Sequence, residues 1–186
     1  MSPVAIASLM EAEPYSPASA EARISADGEF VEENLRRVFR LIYRVVGNVP
    51  DAQDLTQEAF IKALRRRSQL KDPQKASQWL GRIAVNTALD FVRQRKRVQF
   101  EPLDKAPEIS TETPEQALLR GEKRRYIEDG LRLLTGRERA ALMLRDIEGL
   151  PAAEVARQWG CSPATVRSHI ANARVKFRKY AKGRRP

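Results

Sequence analysis

Residues 151–180 read PAAEVARQWGCSPATVRSHIANARVKFRKY, and this stretch decides the fold of the C-terminal part of the chain. Pro151 can open a short helix, and Gly160 permits the positive φ of a tight turn. Ser162 followed by Pro163 supplies an N-cap and a first-turn proline for a longer second helix. Small and apolar residues are spaced to fill the angle between the two helices: Val155, Ala156, Trp159, Val166 and Ile170. The pattern predicts a helix-turn-helix.

The second helix of this motif presents polar and basic side chains. Such a helix fits the major groove of DNA, where arginine, asparagine and serine read base edges and other basic residues neutralise phosphates. The candidate DNA contacts are Thr165, Arg167, Ser168, His169, Asn172, Arg174 and Arg178, with Arg157, Lys176 and Lys179 as further phosphate contacts. The competing interpretation is a solvated basic helix in a small bundle. Repressors, response regulators and initiation factors all use this motif, so it leaves the biological role open.

The rest of the sequence predicts further helices and no strand. Apolar residues recur at intervals of three and four in residues 35–46, 55–64 and 79–92, and a fourth helix is expected from about residue 114. Gly47 ends the first helix, and Asp51 is the expected N-cap of the second. Thr135 and Glu138 form a capping box, and Gly149 is placed to end the helix that follows it.

The predicted organisation is all-α, with two small helical domains joined by a flexible linker. The linker is indicated by three prolines, at positions 102, 107 and 114, among acidic and hydroxyl residues. The expected segments are a mobile N-terminal tail over residues 1–28, a first domain over 29–98, the linker over 99–115, a helix-turn-helix domain over 116–182 and a basic tail over 183–186.

The charge of the chain is divided between these segments. The 186 residues carry 34 Lys and Arg against 24 Asp and Glu, a net charge of +10. The tail carries −3, the first domain +7, the linker −4, and residues 116–186 carry +10. Two basic blocks separated by an acidic strip favour nucleic acid as a partner.

Composition also excludes several classes of protein. The one cysteine, Cys161, and the one histidine, His169, exclude a disulfide framework and a cysteine-rich zinc site and argue against a histidine-based metal site or catalytic triad. We therefore expect no metal, no cofactor and no enzymatic activity. No apolar run approaches the ~20 residues of a membrane helix. The N-terminus lacks the basic region of a secretory signal, so a cytoplasmic protein without membrane insertion is expected.

Two helices of the first domain carry polar faces of different kinds. Asp54, Gln57 and Glu58 lie three and four positions apart. They either complement the positive N-terminal end of their helix or dock a basic protein partner, and the residues alone favour neither.

On the third helix, Asn86, Asp90, Arg93 and Arg97 follow the same spacing. Possible phosphate contacts there are Lys75, Arg82, Arg93, Arg95, Lys96 and Arg97, while Trp79 and Phe91 are expected in the core rather than stacked on bases.

Two sets of motifs resemble a known family. DAQDLTQEAF at residues 51–60 and WLGRIAVNTALDFVR at 79–93 resemble region 2 of the bacterial sigma-70-type factors. LTGRER at 134–139, LRDIEGL at 144–150, EVA at 154–156 and GCSPATVRS at 160–168 resemble region 4. The resemblance covers about residues 30–98 and 117–180. A linker stands in place of the third sigma region, as in the extracytoplasmic-function (ECF) subgroup.

The resemblance implies a sigma factor that directs promoter-specific initiation by core RNA polymerase. Asp54, Gln57 and Glu58 would grip the coiled coil of the polymerase clamp, which favours docking over the helix-dipole reading. The eight minus-ten contacts would be Lys75, Arg82, Asn86, Asp90, Arg93, Arg95, Lys96 and Arg97, with the loop at 68–77 helping to hold a flipped base of the non-template strand. The minus-thirty-five contacts would be Thr165, Arg167, Ser168, His169, Asn172, Arg174 and Arg178.

The resemblance also implies an anti-sigma partner that holds the protein in a docked, inactive state with much of its DNA-binding surface protected. The sequence departs from the family pattern at Pro151-Ala152, where a hydroxyl and an aromatic residue are frequent, at Pro163, and at His169, where a basic residue is frequent. The alternatives are a stand-alone helix-turn-helix regulator and a basic helical protein that binds nucleic acid with little sequence discrimination.

Overall fold

The structure is a computed structural model, and it describes residues 17–70, 72–94 and 114–183. Every regular element in these ranges is helical, which confirms the all-α prediction. The helices are α1 (Pro17–Val46), α2 (Val49–Arg65), α3 (Ala76–Gln94), α4 (Pro114–Arg132), α5 (Gly136–Leu142), α6 (Ala152–Trp159) and α7 (Pro163–Gly183). None of the helices in these ranges is long and apolar enough to cross a membrane.

The chain divides into two compact units, Met1–Glu33 and Asn34–Pro186, and the division falls within α1. In the first unit, helix begins at Pro17, so residues 17–28 are helical where the composition predicted a tail. Alanine, glutamate and arginine are good helix formers, and extending an existing helix costs far less than nucleating one. The contacts described below all belong to the second unit.

The start of α2 differs from the prediction in its cap. Gly47 adopts φ +87° after α1. The N-cap of α2 is Asn48 rather than Asp51, and the Asn48 side chain accepts from the Asp51 amide at 2.9 Å. The shift of three positions follows from Pro50, which lies in the first turn, where its missing N–H leaves no hydrogen bond unmade.

Helices α1, α2 and α3 supply the buried apolar residues of the first domain. Helix α2 packs against α3, and the largest buried side chains include Val38, Leu41, Ile42, Val45, Leu55, Phe60, Leu80 and Val85. Leu35, expected on the buried face of α1, is 46% exposed. Trp79 and Phe91 are only half-buried. Between α2 and α3 the predicted loop contains two short 3-10 turns, Arg67–Gln69 and Pro73–Lys75.

The second domain comprises α4 to α7. The capping box is confirmed: the Glu138 amide donates to Thr135 Oγ1 at 3.3 Å, and the Thr135 amide donates to Glu138 Oε2 at 2.8 Å. Helix α5 continues into a π-helical turn, Met143–Ile147, which the sequence did not predict. Gly149 follows this turn with φ +71°, as expected for a glycine that ends a helical segment.

Helices α6 and α7 form the helix-turn-helix. Gly160 adopts φ +61° between them, and Ser162 Oγ accepts from the Thr165 amide at 3.1 Å, so the turn and the N-cap are confirmed. Four of the five predicted wedge residues are buried: Val155, Ala156, Val166 and Ile170. Trp159 is only half-buried, because its indole N–H is directed away from the space between α6 and α7. It donates to the side-chain oxygen of Asn86 in α3.

Candidate functional surfaces

An acidic and amide face lies on α2. Asp54, Gln57 and Glu58 are all exposed and share one side of the helix. Glu58 pairs with Lys62 at 2.6 Å, and Ile61, which follows on the same side, is 49% exposed. The exposed carboxylates disfavour contact of this face with a polyanion such as DNA, because like charges repel. The structure therefore brings together the three residues that the sequence singled out.

The polar row of α3 divides into a covered half and an open half. Arg82 forms an ion pair with Glu154 of α6. Asn86 Nδ2 donates to Gln158 Oε1 at 2.9 Å, and Asn86 Oδ1 accepts from Trp159 Nε1 at 3.1 Å. The side chains of this half are thus bonded to the first helix of the helix-turn-helix.

The open half of the row contains Asp90 and Arg93, which are exposed and 3.8 Å apart. Lys75, before the helix, is also exposed and pairs with Asp72 at 3.3 Å. Three predicted phosphate contacts lie outside the described residues: Arg95, Lys96 and Arg97.

The outer face of α7 presents most of its predicted residues to solvent. Arg167, Ser168, Asn172 and Arg178 are exposed, and Thr165 and His169 are half-buried. The His169 ring lies edge-on to Trp159, with ring centroids 6.4 Å apart. Helix α7 can therefore meet a groove without rearrangement of its own domain.

Arg174 is the exception on α7. Its Nη2 atom donates to Asp146 of the π-helical turn at 2.7 Å, although the side chain stays 53% exposed. This ion pair holds the guanidinium group against its own domain rather than free for a base edge.

Comparison with known proteins identifies both domains. The family model described as Sigma-70 region 2 matches residues 30–98, and the model described as Sigma-70, region 4 matches residues 124–177. SigE of Mycolicibacterium smegmatis, an ECF RNA polymerase sigma factor, is 38% identical over 164 residues, which cover 86% of this chain and 63% of that protein. The RNA polymerase sigma-H factor of Pseudomonas aeruginosa is 36% identical over 149 residues, covering 74% of this chain and 77% of that protein.

The chain belongs to the ECF family of RNA polymerase sigma factors. These proteins direct promoter-specific initiation of transcription and are not enzymes. The chain spans slightly less than two thirds of SigE, at 63% of its length.

Solved structures support the fold of this sigma factor. RpoE in complex with the anti-sigma factor NepR from Bartonella quintana has a TM-score of 0.57 at 21% identity, covering 84% of this chain and 99% of that chain. CnrH in complex with the cytosolic domain of CnrY has a TM-score of 0.54 at 22% identity, covering 87% and 90%.

Regions 2 and 4 of this sigma factor also meet at Glu148, which follows the π-helical turn. The Glu148 side chain is fully buried and pairs with Arg37 of α1. Its backbone carbonyl accepts from Gln78 Nε2 of α3 at 2.6 Å. Burial raises the pKa of Glu148, and the positive charge of Arg37 opposes that rise. Sequence reasoning missed this contact because its two ionic partners lie 111 positions apart.

A second link between the regions is Arg139 of α5, which is buried. Its guanidinium group donates to Val45 O near the end of α1 at 2.8 Å, to Leu134 O at 2.8 Å and to Leu131 O at 3.4 Å. Desolvation by burial lowers the pKa of Arg139 to about 10, and the nearby Glu138 partly opposes that shift. The last carbonyls of a helix have no partner within it, so this arginine supplies a donor to the end of α1 and another to Leu134 O, just beyond the end of α4.

Proposed function

We propose that this sigma factor docks on core RNA polymerase through the α2 face, reads the minus-thirty-five element as duplex with α7, and holds the melted minus-ten strand with α3. The observation that carries the proposal is the combination of an exposed carboxylate face on α2 with exposed arginines on α3 and α7, on a chain of net charge +10. A regulator that binds DNA unaided has no use for that acidic face, because phosphates repel carboxylates.

Docking is supported by the chemistry of the α2 face. Asp54 and Glu58 offer two carboxylates, and Gln57 offers a donor and an acceptor between them. Charged pairs at an interface favour fast association and a fixed register, and the exposed Ile61 adds apolar area. A basic helical element of the polymerase fits this face.

Reading of the minus-thirty-five element is assigned to the exposed residues of α7. Arg167, Ser168 and Asn172 lie outward in the first half of the helix. In helix-turn-helix proteins it is the N-terminal part of the second helix that meets the base edges. Arg178 lies more than one turn further along α7, and we assign it to a phosphate contact that positions the helix.

Holding of the minus-ten strand is assigned to α3. Asn86 can donate to and accept from a base edge, and Arg82 and Arg93 supply positive charge for the sugar–phosphate chain. Extruding a base costs a few kcal/mol of stacking and pairing, so the side chains of α3 and the loop before it must compensate that loss.

A regulatory partner of the anti-sigma class is also proposed, because RpoE, which shares this fold, is described in complex with the anti-sigma factor NepR. The partner would reach the protein in the cytoplasm, where transcription takes place.

The decisive experiment is complex formation with purified core polymerase on a gel-filtration column, followed by transcription from a promoter library. Asp54→Ala combined with Glu58→Ala should prevent co-elution while leaving the circular dichroism of a folded helical protein. The matched control, Glu32→Ala with Glu122→Ala, removes two exposed carboxylates from other helices and should co-elute normally. Failure of the unaltered chain to form a complex, or promoter-specific binding without polymerase, would favour the stand-alone regulator.

A further inference from the structure

The contact between regions 2 and 4 uses the side chains that the proposed function assigns to DNA. We define the closed contact as Arg37 and Gln78 with Glu148, Arg82 with Glu154, and Asn86 with Gln158 and Trp159. Glu154 places a carboxylate on Arg82, where DNA would place a phosphate. Gln158 accepts a hydrogen bond from the side-chain NH2 group of Asn86, and Trp159 donates one to its side-chain oxygen, as a base edge would.

We propose that α6 competes with the minus-ten strand for the same side chains of α3. The free sigma factor therefore cannot bind the minus-ten strand, whereas its other two surfaces stay accessible. The inference rests on the assignment of α3 to the minus-ten strand. Most of the predicted residues of α7 and all three of the α2 face are exposed in the same structure. Polymerase docking and upstream recognition can therefore begin in the closed form, whereas capture of the melted strand requires α6 to leave α3.

Two glycines set how closely the regions approach. A Cβ atom on Gly81 of α3 would collide with the carboxylate of Glu148, and a Cβ atom on Gly136 of α5 would collide with Cγ1 of Val92. Each glycine lies in one region and its neighbouring side chain lies in the other. Neither glycine has a positive φ, so alanine suits the local backbone at both positions.

The two collisions involve side chains of the opposite region and disappear when the regions separate. A Cβ atom on Gly81 would also lie 3.1 Å from Nη2 of Arg37 in its own region, but that atom is the end of a flexible side chain, which is released from Glu148 when the regions separate. Glu148 is fully buried and held by Arg37, so it has little freedom to move away from a methyl group on α3. Val92 branches at Cβ and has few alternative rotamers in a helix. Gly81→Ala and Gly136→Ala should therefore open the protein without damaging either domain.

The chain offers a matched control and a compensating change. Gly121 lies in α4, and a Cβ atom there has no neighbour within 4 Å, so Gly121→Ala changes helix propensity without a collision. Val92→Ala removes Cγ1 of Val92, the atom with which a Cβ atom on Gly136 would collide, and leaves Cβ at an ordinary contact distance of 3.4 Å. The double variant Gly136→Ala with Val92→Ala should accordingly close again.

The first measurement is the distance between two spin labels in the full chain. Labels at Gln53→Cys and Lys179→Cys, with Cys161→Ser to remove the native thiol, report the separation of α2 and α7. The unaltered glycines and Gly121→Ala should give one narrow distance distribution. Gly81→Ala and Gly136→Ala should each give a longer, broader one. A broad distribution with the unaltered glycines, or no change on introducing either alanine, would overturn the closed form.

The second measurement is binding of a fluorescein-labelled pool of short random single-stranded DNA by the same proteins. The two opening variants should bind at least tenfold more tightly than the closed forms, because the apparent affinity of a masked site falls with the fraction of open molecules. Opening without tighter binding would refute the masking role. If no variant binds single-stranded DNA while polymerase docking is normal, α3 is not the minus-ten helix and the masking proposal fails with it. The spin-label distances would still test whether the closed form exists.

Discussion

Arg139 joins the ends of two helices through their backbone carbonyls, and replacing it by methionine measures how much that junction stabilises the fold. The residue is 4% exposed, and its two short hydrogen bonds, each 2.8 Å, run to Val45 O and Leu134 O. Methionine preserves much of the apolar length of the side chain but has no N–H donor. The change therefore removes hydrogen bonds while creating little empty volume.

The magnitude follows from the groups left behind. Val45 O and Leu134 O lose their arginine donor, and each unsatisfied buried acceptor costs about 1–3 kcal/mol. Leu131 O still accepts from the Leu134 amide at 3.1 Å, so its loss is small. The loss is partly offset because methionine is neutral, so the folded protein no longer buries a charge at this position. That burial is what lowers the pKa of Arg139 to about 10. We expect Arg139→Met to lower the free energy of unfolding by about 2–4 kcal/mol.

Urea unfolding followed by far-ultraviolet circular dichroism measures this loss. With a slope of about 2 kcal/mol per molar urea, the midpoint should fall by about 1–2 M. Arg137→Met is the matched control, because Arg137 lies two positions earlier in α5 and is exposed. Its effect should stay within about 0.5 kcal/mol. Equal midpoints for the two variants would show that the carbonyls find other donors and that the junction contributes nothing.

Three further changes test separate features. Burial raises the pKa of Glu148 above 4.5, so its carboxyl group contributes stability that is present below pH 4.5 and lost as the pH rises through the folded-state pKa. Over that rise in pH, the Glu148→Gln variant should become more stable relative to the unaltered chain in urea titrations. The opposite trend would mean that pairing with Arg37 outweighs burial. Thr135→Ala removes the acceptor for the Glu138 amide and should cost about 1 kcal/mol in thermal unfolding; an unchanged melting temperature would show that the capping box is dispensable. Arg167→Ala should reduce discrimination at the upstream element by about 1–3 kcal/mol in binding assays of the polymerase complex, whereas an equal loss on all sequences would make Arg167 a phosphate contact.

Local signals allowed much of the fold to be predicted. The capping box at Thr135 and Glu138, the left-handed turn at Gly160 and the N-cap at Ser162 each involve residues within three or four positions of one another. Side-chain chemistry over such short distances determines the backbone almost independently of the rest of the protein. Asp51 failed as an N-cap because Asn48 offers the same chemistry three positions earlier.

Tertiary contacts account for the rest. The π-helical turn carries no composition that distinguishes it from α5, and Arg139 bonds to the carbonyl of Val45, a group that every residue possesses. The α3 helix was predicted with one apolar stripe, yet Val85 and Leu89 are buried as well. Its second buried side lies toward region 4, where Gln78, Arg82 and Asn86 form the closed contact, and no periodicity within α3 signals that partner.

The candidate surfaces follow the same division. The exposed face of Asp54, Gln57 and Glu58 was predictable because helical spacing alone groups those side chains. The pairing of Arg174 with Asp146 was not, since it joins residues 28 positions apart across the fold of region 4. Their roles toward polymerase and DNA stay predictions.

Internal ion pairs on α7 also bear on how the protein responds to electrolytes. Lys176 Nζ donates to both carboxylate oxygens of Glu138, at 2.8 and 3.0 Å, and Arg174 is paired with Asp146. Counterions condensed on DNA are released for each phosphate that a protein cation neutralises. Lys176 and Arg174 are already paired with carboxylates of region 4, so their binding to DNA releases few counterions. Upstream binding should accordingly depend on ionic strength less steeply than the number of lysines and arginines on α7 suggests, which leaves recognition less sensitive to the salt content of the cell.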